Sequence, residues 1–312
     1  MLILGFLFAA TGVLLWWRHP SGTPHLGQAA YEQTATILAH GPRPPGSDGL
    51  KAVSAHVQKE LETAGWVTSR QTFERYTPEG SVTFQNLLAR FPTSGVDPWN
   101  RPVRTILCAH LDSKGFKDSR FLGADDAASA CAAIVEIAKF LAKEKPALAE
   151  TLELVFFDGE EAIGPHITAA DGLYGSRYYA NAWRAKSDKP TSGILLDMIG
   201  HENLTIRLST DTPDALKERV FAAAKAEDAQ NHFGMASGPI IDDHVPLNSA
   251  GIPTVDLIGD FAASAWWHRP TDTLKILSAR SLDISIRVTL RLLDDAFAPP
   301  TSAPAAPNRP RQ

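Results

Sequence analysis

Hydrophobic and polar positions along the sequence follow two different spacings. Residues 50–65 (LKAVSAHVQKELETAG) carry apolar side chains at intervals of three and four, which predicts a helix that Gly65 ends. A second helix is predicted over residues 127–144 (AASACAAIVEIAKFLAKE). Short runs rich in branched and aromatic residues predict strands, and these runs are VTFQNLLARF, VRTILCAHL, TLELVFFD, SGILLDMIG and IPTVDLIG. Helices that alternate with strands are typical of an α/β fold.

Three of these predicted strands are almost continuously apolar, at ILCA, LELVFF and ILLDMI. Such runs indicate central strands that other elements cover on both faces. Polar motifs follow the runs, at the carboxyl ends of strands, where open α/β sheets bind their ligands. We therefore expect one globular α/β domain over residues 26–297, with its functional site at the carboxyl edge of the central sheet.

The two ends of the chain differ from this middle part. Residues 1–17 are uncharged and mostly apolar, near the lower limit for a bilayer-spanning helix. We expect residues 1–18 to be an N-terminal membrane anchor or signal segment, which makes the protein membrane-anchored or secreted, in the periplasm or another extracytoplasmic space. The alternative is a buried core helix or a mis-assigned start. The proline-rich residues 298–312 predict a disordered tail.

Charge and cysteine content exclude two classes of protein. The formal net charge is −5, and the 30 Lys and Arg residues are scattered along the chain, which argues against a nucleic-acid partner. The two cysteines, Cys108 and Cys131, are too few for a disulfide scaffold or a cysteine-built zinc site. They either form one disulfide in an oxidising compartment or act as small buried apolar residues.

Five polar clusters follow the apolar runs, and together they combine carboxylates with imidazole: AHLDS, GADDAAS, FFDGEEA, LLDMIG and WWHRPTDT. Catalytic zinc sites normally use three nitrogen or oxygen ligands and keep one position open. Asp126, Glu161 and His268 match that number. The adjacent Glu160 points a different way from Glu161, so it can face the substrate as an acid or a base. A single such carboxylate is often only a cap or a solvated loop residue, but five clusters at strand ends argue against coincidence.

A series of motifs in this order resembles the glutaminyl cyclase (glutaminyl-peptide cyclotransferase) and zinc aminopeptidase superfamily, metallopeptidase family 28. The motifs are AHLDS, GADDAASA, FFDGEEA, YGSRYYA, LLDMIG, DDHVPL, GIPTVDLI and WWH, and they cover residues 30–297. The resemblance implies a single α/β-hydrolase-like domain whose mixed, mostly parallel sheet is flanked by helices. It also implies a non-proline cis peptide bond between Asp126 and Ala127.

The resemblance implies two possible metal contents. The cyclases hold one zinc, through the positions of Asp126, Glu161 and His268. The aminopeptidases hold a second zinc, through His110, a bridging Asp126 and Asp197. We expect one zinc if the protein is a cyclase and two if it is an aminopeptidase.

The same resemblance assigns the catalytic residues. Glu160 is the expected proton carrier, and it forms an acidic group with Asp197 and Asp242. In a cyclase these residues convert the N-terminal glutamine of a peptide to pyroglutamate and release ammonia. In an aminopeptidase Glu160 instead activates a metal-bound water that cleaves the first peptide bond. In either case the partners are peptides with a free N-terminus. We expect Trp267, Phe261 and Ile241 to contact the substrate.

Several details bear on the choice between these functions. Trp267 immediately before the histidine ligand, the double aspartate of DDHVP, and DGEEA followed by LYGSR favour the cyclases. His166 stands where the cyclases carry an aromatic residue, and residues 259–266 (GDFAASAW) differ from the cyclase loop. His244 either orients a carboxylate or caps a turn. A peptide-binding protein with an inactive hydrolase fold is a further alternative, which the intact Glu160 argues against.

Overall fold

The computed structural model describes residues 25–262 and 264–297. The expected anchor or signal segment (1–18) and the proline-rich tail (298–312) both lie outside the described residues. Within the described ranges, no helix is long and apolar enough to cross a membrane.

Eight strands and eight α-helices occur in the described part of the chain. The strands are β1 (Val67–Thr77), β2 (Gly80–Arg90), β3 (Thr105–His110), β4 (Leu152–Phe157), β5 (Ser192–Asp197), β6 (Ile206–Leu208), β7 (Phe233–Met235) and β8 (Thr254–Gly259). The helices are α1 (Gly27–Ala39), α2 (Asp48–Thr63), α3 (Ala130–Glu144), α4 (Pro146–Ala149), α5 (Tyr174–Trp183), α6 (Asp214–Ala226), α7 (His244–Ser249) and α8 (Ala279–Phe297).

The two predicted helices form close to the predicted positions. The helix expected over residues 50–65 is α2, which begins two residues earlier because the Ser47 side chain accepts a hydrogen bond from the backbone N–H of Leu50. The helix expected over residues 127–144 is α3, which begins at Ala130. The residues before it, Ala124–Ser129, form a kinked turn in which Asp126 and Ala127 have non-helical backbone angles.

The strands form a single eight-stranded sheet in the order β1-β2-β4-β3-β5-β8-β6-β7. Its centre is parallel, because β4 pairs with β3, β3 with β5, and β5 with β8 in that sense. Antiparallel pairing joins β1 to β2, β2 to β4, and β8 to β6. Helices flank the sheet, which confirms the expected mixed, mostly parallel α/β architecture.

Side-chain alternation along β3 separates two apolar cores. Leu107 and Ala109 face the larger core, which also contains Cys131 of α3. Ile106 and Cys108 face the smaller core beneath α5 and α7. The two cysteines therefore lie on opposite faces of the sheet, and both are free and buried. The structure supports the buried apolar alternative over the disulfide.

Candidate active site

The polar clusters predicted at strand ends meet at the carboxyl edge of the sheet. His110 is the last residue of β3 and Asp197 is the last residue of β5, while Glu160 and Glu161 follow β4 by a few residues. Strands β4 and β5 lie on opposite sides of β3, so the order of the strands in the sheet reverses at β3. Such a reversal opens a crevice above the sheet.

Two sets of possible metal ligands meet in this crevice. His268 Nε2 lies 3.1 Å from Glu161 Oε1 and 3.5 Å from Asp126 Oδ2. His110 Nε2 lies 3.3 Å from Asp126 Oδ1 and 3.4 Å from Asp197 Oδ1. Asp126 therefore offers one carboxylate oxygen to each set. In each set the ligand atoms lie within 4.8 Å of one another, as the bonds to a shared ion require.

Several of these atoms are buried without a hydrogen-bond partner. Both ring nitrogens of His110, Oδ2 of Asp126 and Oδ1 of Asp197 are in this state. Buried polar atoms in folded proteins nearly always have a partner. A cation held between carboxylates and imidazole would satisfy His110 Nε2 and the carboxylate oxygens, and this mixture of donors suits zinc. The side chains that are present thus fit a metal ion.

The turn before α3 directs Asp126 into the crevice. The peptide bond between Asp126 and Ala127 is cis, as expected from the family resemblance. The backbone N–H groups of Asp125 and Asp126 donate to the two carboxylate oxygens of Asp272, at 2.8 and 3.2 Å. Asp272 is fully buried, so this pair of hydrogen bonds fixes the turn.

Asp112 supports the neighbouring loop in a similar way. Its two oxygens accept the backbone N–H groups of Glu160 and Glu161, each at 3.1 Å. Oδ1 of Asp112 also lies 3.5 Å from His110 Nδ1, on the side of the ring away from Asp126. One buried carboxylate therefore orients residues of both ligand sets, as the groups behind metal ligands commonly do.

Lys114 completes the wall of the crevice and was not predicted from the sequence. Its side chain is buried, and Nζ donates to the backbone carbonyl of Ala162 at 2.7 Å. The same ammonium lies 3.6 Å from Glu161 Oε2. The one available signal was its position, immediately after the first polar cluster (AHLDS) and two residues after Asp112. Lysine is usually exposed, so this position alone does not single it out.

A cavity of about 300 Å³ opens beside the ligand sets. It brings together the predicted acidic residues Glu160, Asp197 and Asp242 and the predicted contact residues Ile241, Phe261 and Trp267, together with Asp126, Glu161 and His268. His110 lies deeper and is 1% exposed. His166 and Ile240, for which no role was predicted, also line the cavity.

Aromatic and aliphatic side chains form the outer part of the cavity. Trp267 stacks on the ring of His268, with centroids 4.2 Å apart, and contacts Phe261 at 4.8 Å. Ile241 is 61% exposed and Trp267 is 38% exposed. Exposed apolar side chains that are grouped together often mark a binding site, and here they surround the entrance to a polar floor. The cavity suits a small ligand with an apolar flank and a polar end.

Burial and neighbouring negative charges favour the protonated forms of the three carboxyl groups on the floor of the cavity. Burial raises the pKa of Glu160 well above its ordinary value, and the charges of Glu161 and Asp242 reinforce this against the opposing effect of His110. Burial also raises the pKa of Asp197 well above its ordinary value, and the charge of Asp242 adds to it. The pKa of Asp242 is raised to about 7, mainly by burial. Buried carboxyls with raised pKa values hold their protons to higher pH, which makes them candidates for proton transfer.

His244 lies behind Asp242 and does not simply cap a turn. Its Nδ1 is 3.4 Å from Asp256 Oδ2, and both side chains are fully buried. Burial lowers the pKa of His244, but Asp256 outweighs this and raises it to about 9. The positive charge of His244 in turn opposes the rise in the pKa of Asp242. The structure therefore favours the carboxylate-orienting alternative for His244.

A mixed sheet whose carboxyl edge carries two carboxylate and imidazole sets that share one aspartate defines an α/β enzyme of the metallopeptidase type. The model of peptidase family M28 matches residues 86–293, and the chain belongs to this family. It is 29% identical over 279 residues to the glutaminyl-peptide cyclotransferase of Gloydius blomhoffii, covering 77% of this chain and 74% of the relative.

Solved structures agree with this assignment. A glutaminyl cyclase from an Acidobacteriales bacterium superposes with a TM-score of 0.75 at 28% identity, over 87% of this chain and 94% of the other. A zinc-dependent exopeptidase from Parabacteroides distasonis superposes with a TM-score of 0.76 at 24% identity, over 86% and 97% of the two chains. The second likeness concerns the fold alone.

Proposed function

We propose that this protein is a zinc-dependent glutaminyl-peptide cyclotransferase that converts the N-terminal glutamine of peptides to pyroglutamate. The observation that carries the proposal is the cavity in which Glu160, Asp197 and Asp242 meet beside Asp126, Glu161 and His268. The relatives named as cyclotransferases support it. The proposed catalytic domain comprises residues 26–297, and the membrane-anchored or secreted location remains a separate prediction from residues 1–18.

Asp126, Glu161 and His268 are the proposed zinc ligands. Zinc held there would supply a Lewis acid next to the cavity, where the γ-carbonyl of the glutamine side chain would lie. Lys114 lies 3.6 Å from Glu161 and offsets part of the negative charge around the ligands. Asp112 accepts a hydrogen bond from the backbone N–H of Glu161, and Asp272 accepts one from the backbone N–H of Asp126, which fixes the backbone of both ligands.

Glu160 is the proposed proton carrier. In the cyclisation, the α-amine nitrogen forms a bond with the γ-carbonyl carbon, and the bond from that carbon to the amide nitrogen breaks. Glu160 accepts a proton from the α-amine and returns it to the departing nitrogen, which leaves as ammonia. A raised pKa suits this double role, because it makes the carboxylate a stronger base than a solvated one.

Asp197 and Asp242 are proposed to share a proton beside Glu160. Close buried carboxyls do not all ionise together, and the charge of Asp242 adds to the raised pKa of Asp197. A protonated Asp197 is a poor metal ligand. This is the physical argument for one zinc although His110, Asp126 and Asp197 could hold a second. Trp267, Phe261 and Ile241 would enclose the aliphatic part of the glutamine side chain.

A zinc aminopeptidase is the second candidate function. It is favoured by the second ligand set, in which His110 Nε2 and one Asp197 oxygen are buried and without hydrogen-bond partners. In that reaction Glu160 would remove a proton from the attacking water. The zinc exopeptidase from Parabacteroides distasonis shares the fold, so the fold does not separate the two activities.

The test combines metal analysis with two reporter substrates. The purified protein is assayed for zinc per chain, for ammonia and pyroglutamate from a glutaminyl peptide, and for cleavage of a leucyl amide. A cyclase binds about one zinc, cyclises the glutaminyl peptide and leaves the leucyl amide intact. Cleavage of the leucyl amide that increases with a second equivalent of zinc would replace the cyclase with the aminopeptidase.

A further inference from the structure

A second groove of about 530 Å³ adjoins the catalytic cavity. Ile167 and Ile241 line both, so they form the border between the two spaces. Helices α5 and α7 supply much of the groove, through residues such as Ala180, Asn181 and Val245. A peptide whose first residue lies in the cavity would pass this border with its following residues, since successive residues of an extended chain are about 3.3 to 3.6 Å apart.

Three arginines line this groove, namely Arg75, Arg177 and Arg184, and none of its lining residues is a carboxylate. The protein as a whole has a formal net charge of −5, so the groove is a local exception. Among the described residues, none of the three arginines forms an ion pair with a carboxylate. Guanidinium groups without carboxylate partners, gathered in one concave surface, attract anions.

Two of the three guanidinium groups are held in place. Arg75 lies over the rings of Phe73 and Tyr178, 5.4 and 5.2 Å from their centroids. Arg177 donates from its two terminal nitrogens to the backbone carbonyls of Thr168 and Ala169, at 2.7 and 2.8 Å. Each still has free N–H groups for a ligand, because a guanidinium carries five donors. A fixed guanidinium loses less entropy when it binds a carboxylate.

We propose that this arginine groove binds the residues that follow the N-terminal glutamine and selects peptides with acidic side chains there. The inference rests on the proposed function and narrows its substrate class. Carboxylates are the natural partners of guanidinium groups, which bind them with paired hydrogen bonds. The acidic residues lie outside the cavity, so they contribute to binding in the ground state and the transition state alike. The groove therefore lowers KM and leaves kcat nearly unchanged.

Another path out of the cavity lacks these charges. It leads past Pro165 and His166 into a groove of about 540 Å³ lined by Tyr76 and Pro78. That groove contains no arginine or lysine, and its one carboxylate, Asp171, accepts the backbone N–H groups of Ile163 and Gly164. A peptide that left on this side would gain nothing from an acidic sequence. The two paths thus predict different selectivity.

The test uses three hexapeptides that begin with glutamine and carry Asp, Ala or Lys at positions three to five, together with a short glutaminyl amide. Steady-state kinetics are measured on the full chain and on the double variant Arg75→Gln, Arg184→Gln. Both arginines are exposed, whereas Arg177 also holds backbone carbonyls and is left intact. The control variant Lys59→Gln, Arg280→Gln has the same charge change on α2 and α8, which pack on the opposite face of the sheet.

For the parent and the control variant we expect kcat/KM to be about three- to tenfold higher for the acidic hexapeptide than for the alanine hexapeptide. This difference should come from a lower KM, with kcat nearly the same for both peptides. The double variant should lose most of this preference and keep parental kinetics on the short amide. The preference should also shrink in 1 M salt, where the screening length is about 3 Å. Equal rates on the acidic and alanine peptides, or a preference that survives in the double variant, would overturn the proposal. If the proposed function itself fails, the short amide is not cyclised either.

Discussion

Replacement of Glu160 by glutamine tests the proposed mechanism most directly. The glutamine side chain would fill the same buried space and keep a polar end in the cavity, but it cannot accept and return a proton. General acid and base groups contribute about 10²- to 10⁴-fold to rate. We therefore expect kcat to fall by that factor in Glu160→Gln, which corresponds to about 3 to 5 kcal/mol of lost transition-state stabilisation.

The same substitution should not destabilise the metal-free protein. Because burial raises the pKa of Glu160, ionisation of this carboxyl is less favourable in the folded chain than in the unfolded chain. The parent therefore loses stability as pH rises above the unfolded pKa of about 4.3, and this loss grows until the folded pKa is reached. Glutamine carries no such cost. The chelator-treated variant should be at least as stable as the parent at pH 7.5, and this advantage should shrink toward pH 5.

The assay follows ammonia and pyroglutamate with purified protein, and zinc is measured per chain. Glu161→Gln serves as the contrast, because it should lose zinc as well as activity, while Glu160→Gln should retain zinc. Glu218→Gln on α6 carries the same chemical change on an exposed residue and should match the parent. Near-parental turnover by zinc-loaded Glu160→Gln would refute the role given to Glu160. A loss of zinc in that variant would show that Glu160 belongs to the ligand set.

Three further outcomes follow from the contacts around the crevice. If one zinc is bound, His268→Ala should lower zinc content far more than His110→Ala, whereas equal losses would indicate two ions. Asp112→Asn, which replaces one of the two oxygens that accept the N–H groups of Glu160 and Glu161, should reduce the free energy of unfolding by about 1 to 3 kcal/mol in urea titrations. Burial lowers the pKa of His268, but Glu161 outweighs this and raises it above its ordinary value. Zinc must displace that proton, so zinc affinity measured by chelator competition should increase by up to tenfold per unit between pH 6 and the pKa of His268, and a flat profile would contradict this.

The central strands of the fold could be predicted because each of them is a short, continuous apolar run in the sequence. The strands β3, β4 and β5 are each buried along their whole length, so their apolar runs stand out in the sequence. The outer strands β1, β6 and β7 carry no such signal. β1 is largely exposed, and β6 and β7 are three residues long, so their pairing depends on contacts between distant parts of the chain.

The residues of the site that face the cavity could be predicted in a similar way, but the residues that support them could not. Most of the predicted residues that line the cavity follow buried strands or lie in family motifs, and the structure brings them together. The groups that support them were not assigned from the sequence. Asp272 holds the backbone of Asp126 from 146 positions away, and Lys114 is buried because a carbonyl and Glu161 compensate its charge. A single sequence does not show which distant polar groups become partners.

The ligand sets of a cyclase and of an aminopeptidase are both present in this site, so protonation of the second set is one way in which the two activities could differ. Asp126 offers an oxygen to each ligand set, and His110 and Asp197 are the other two members of the second set. Burial and the charge of Asp242 keep the pKa of Asp197 raised, so a second cation would have to displace a proton. That competition lowers the affinity for the second ion tenfold for each unit by which the pKa exceeds the pH. We therefore predict that Asp242, which belongs to neither ligand set, adds to burial in disfavouring a second ion.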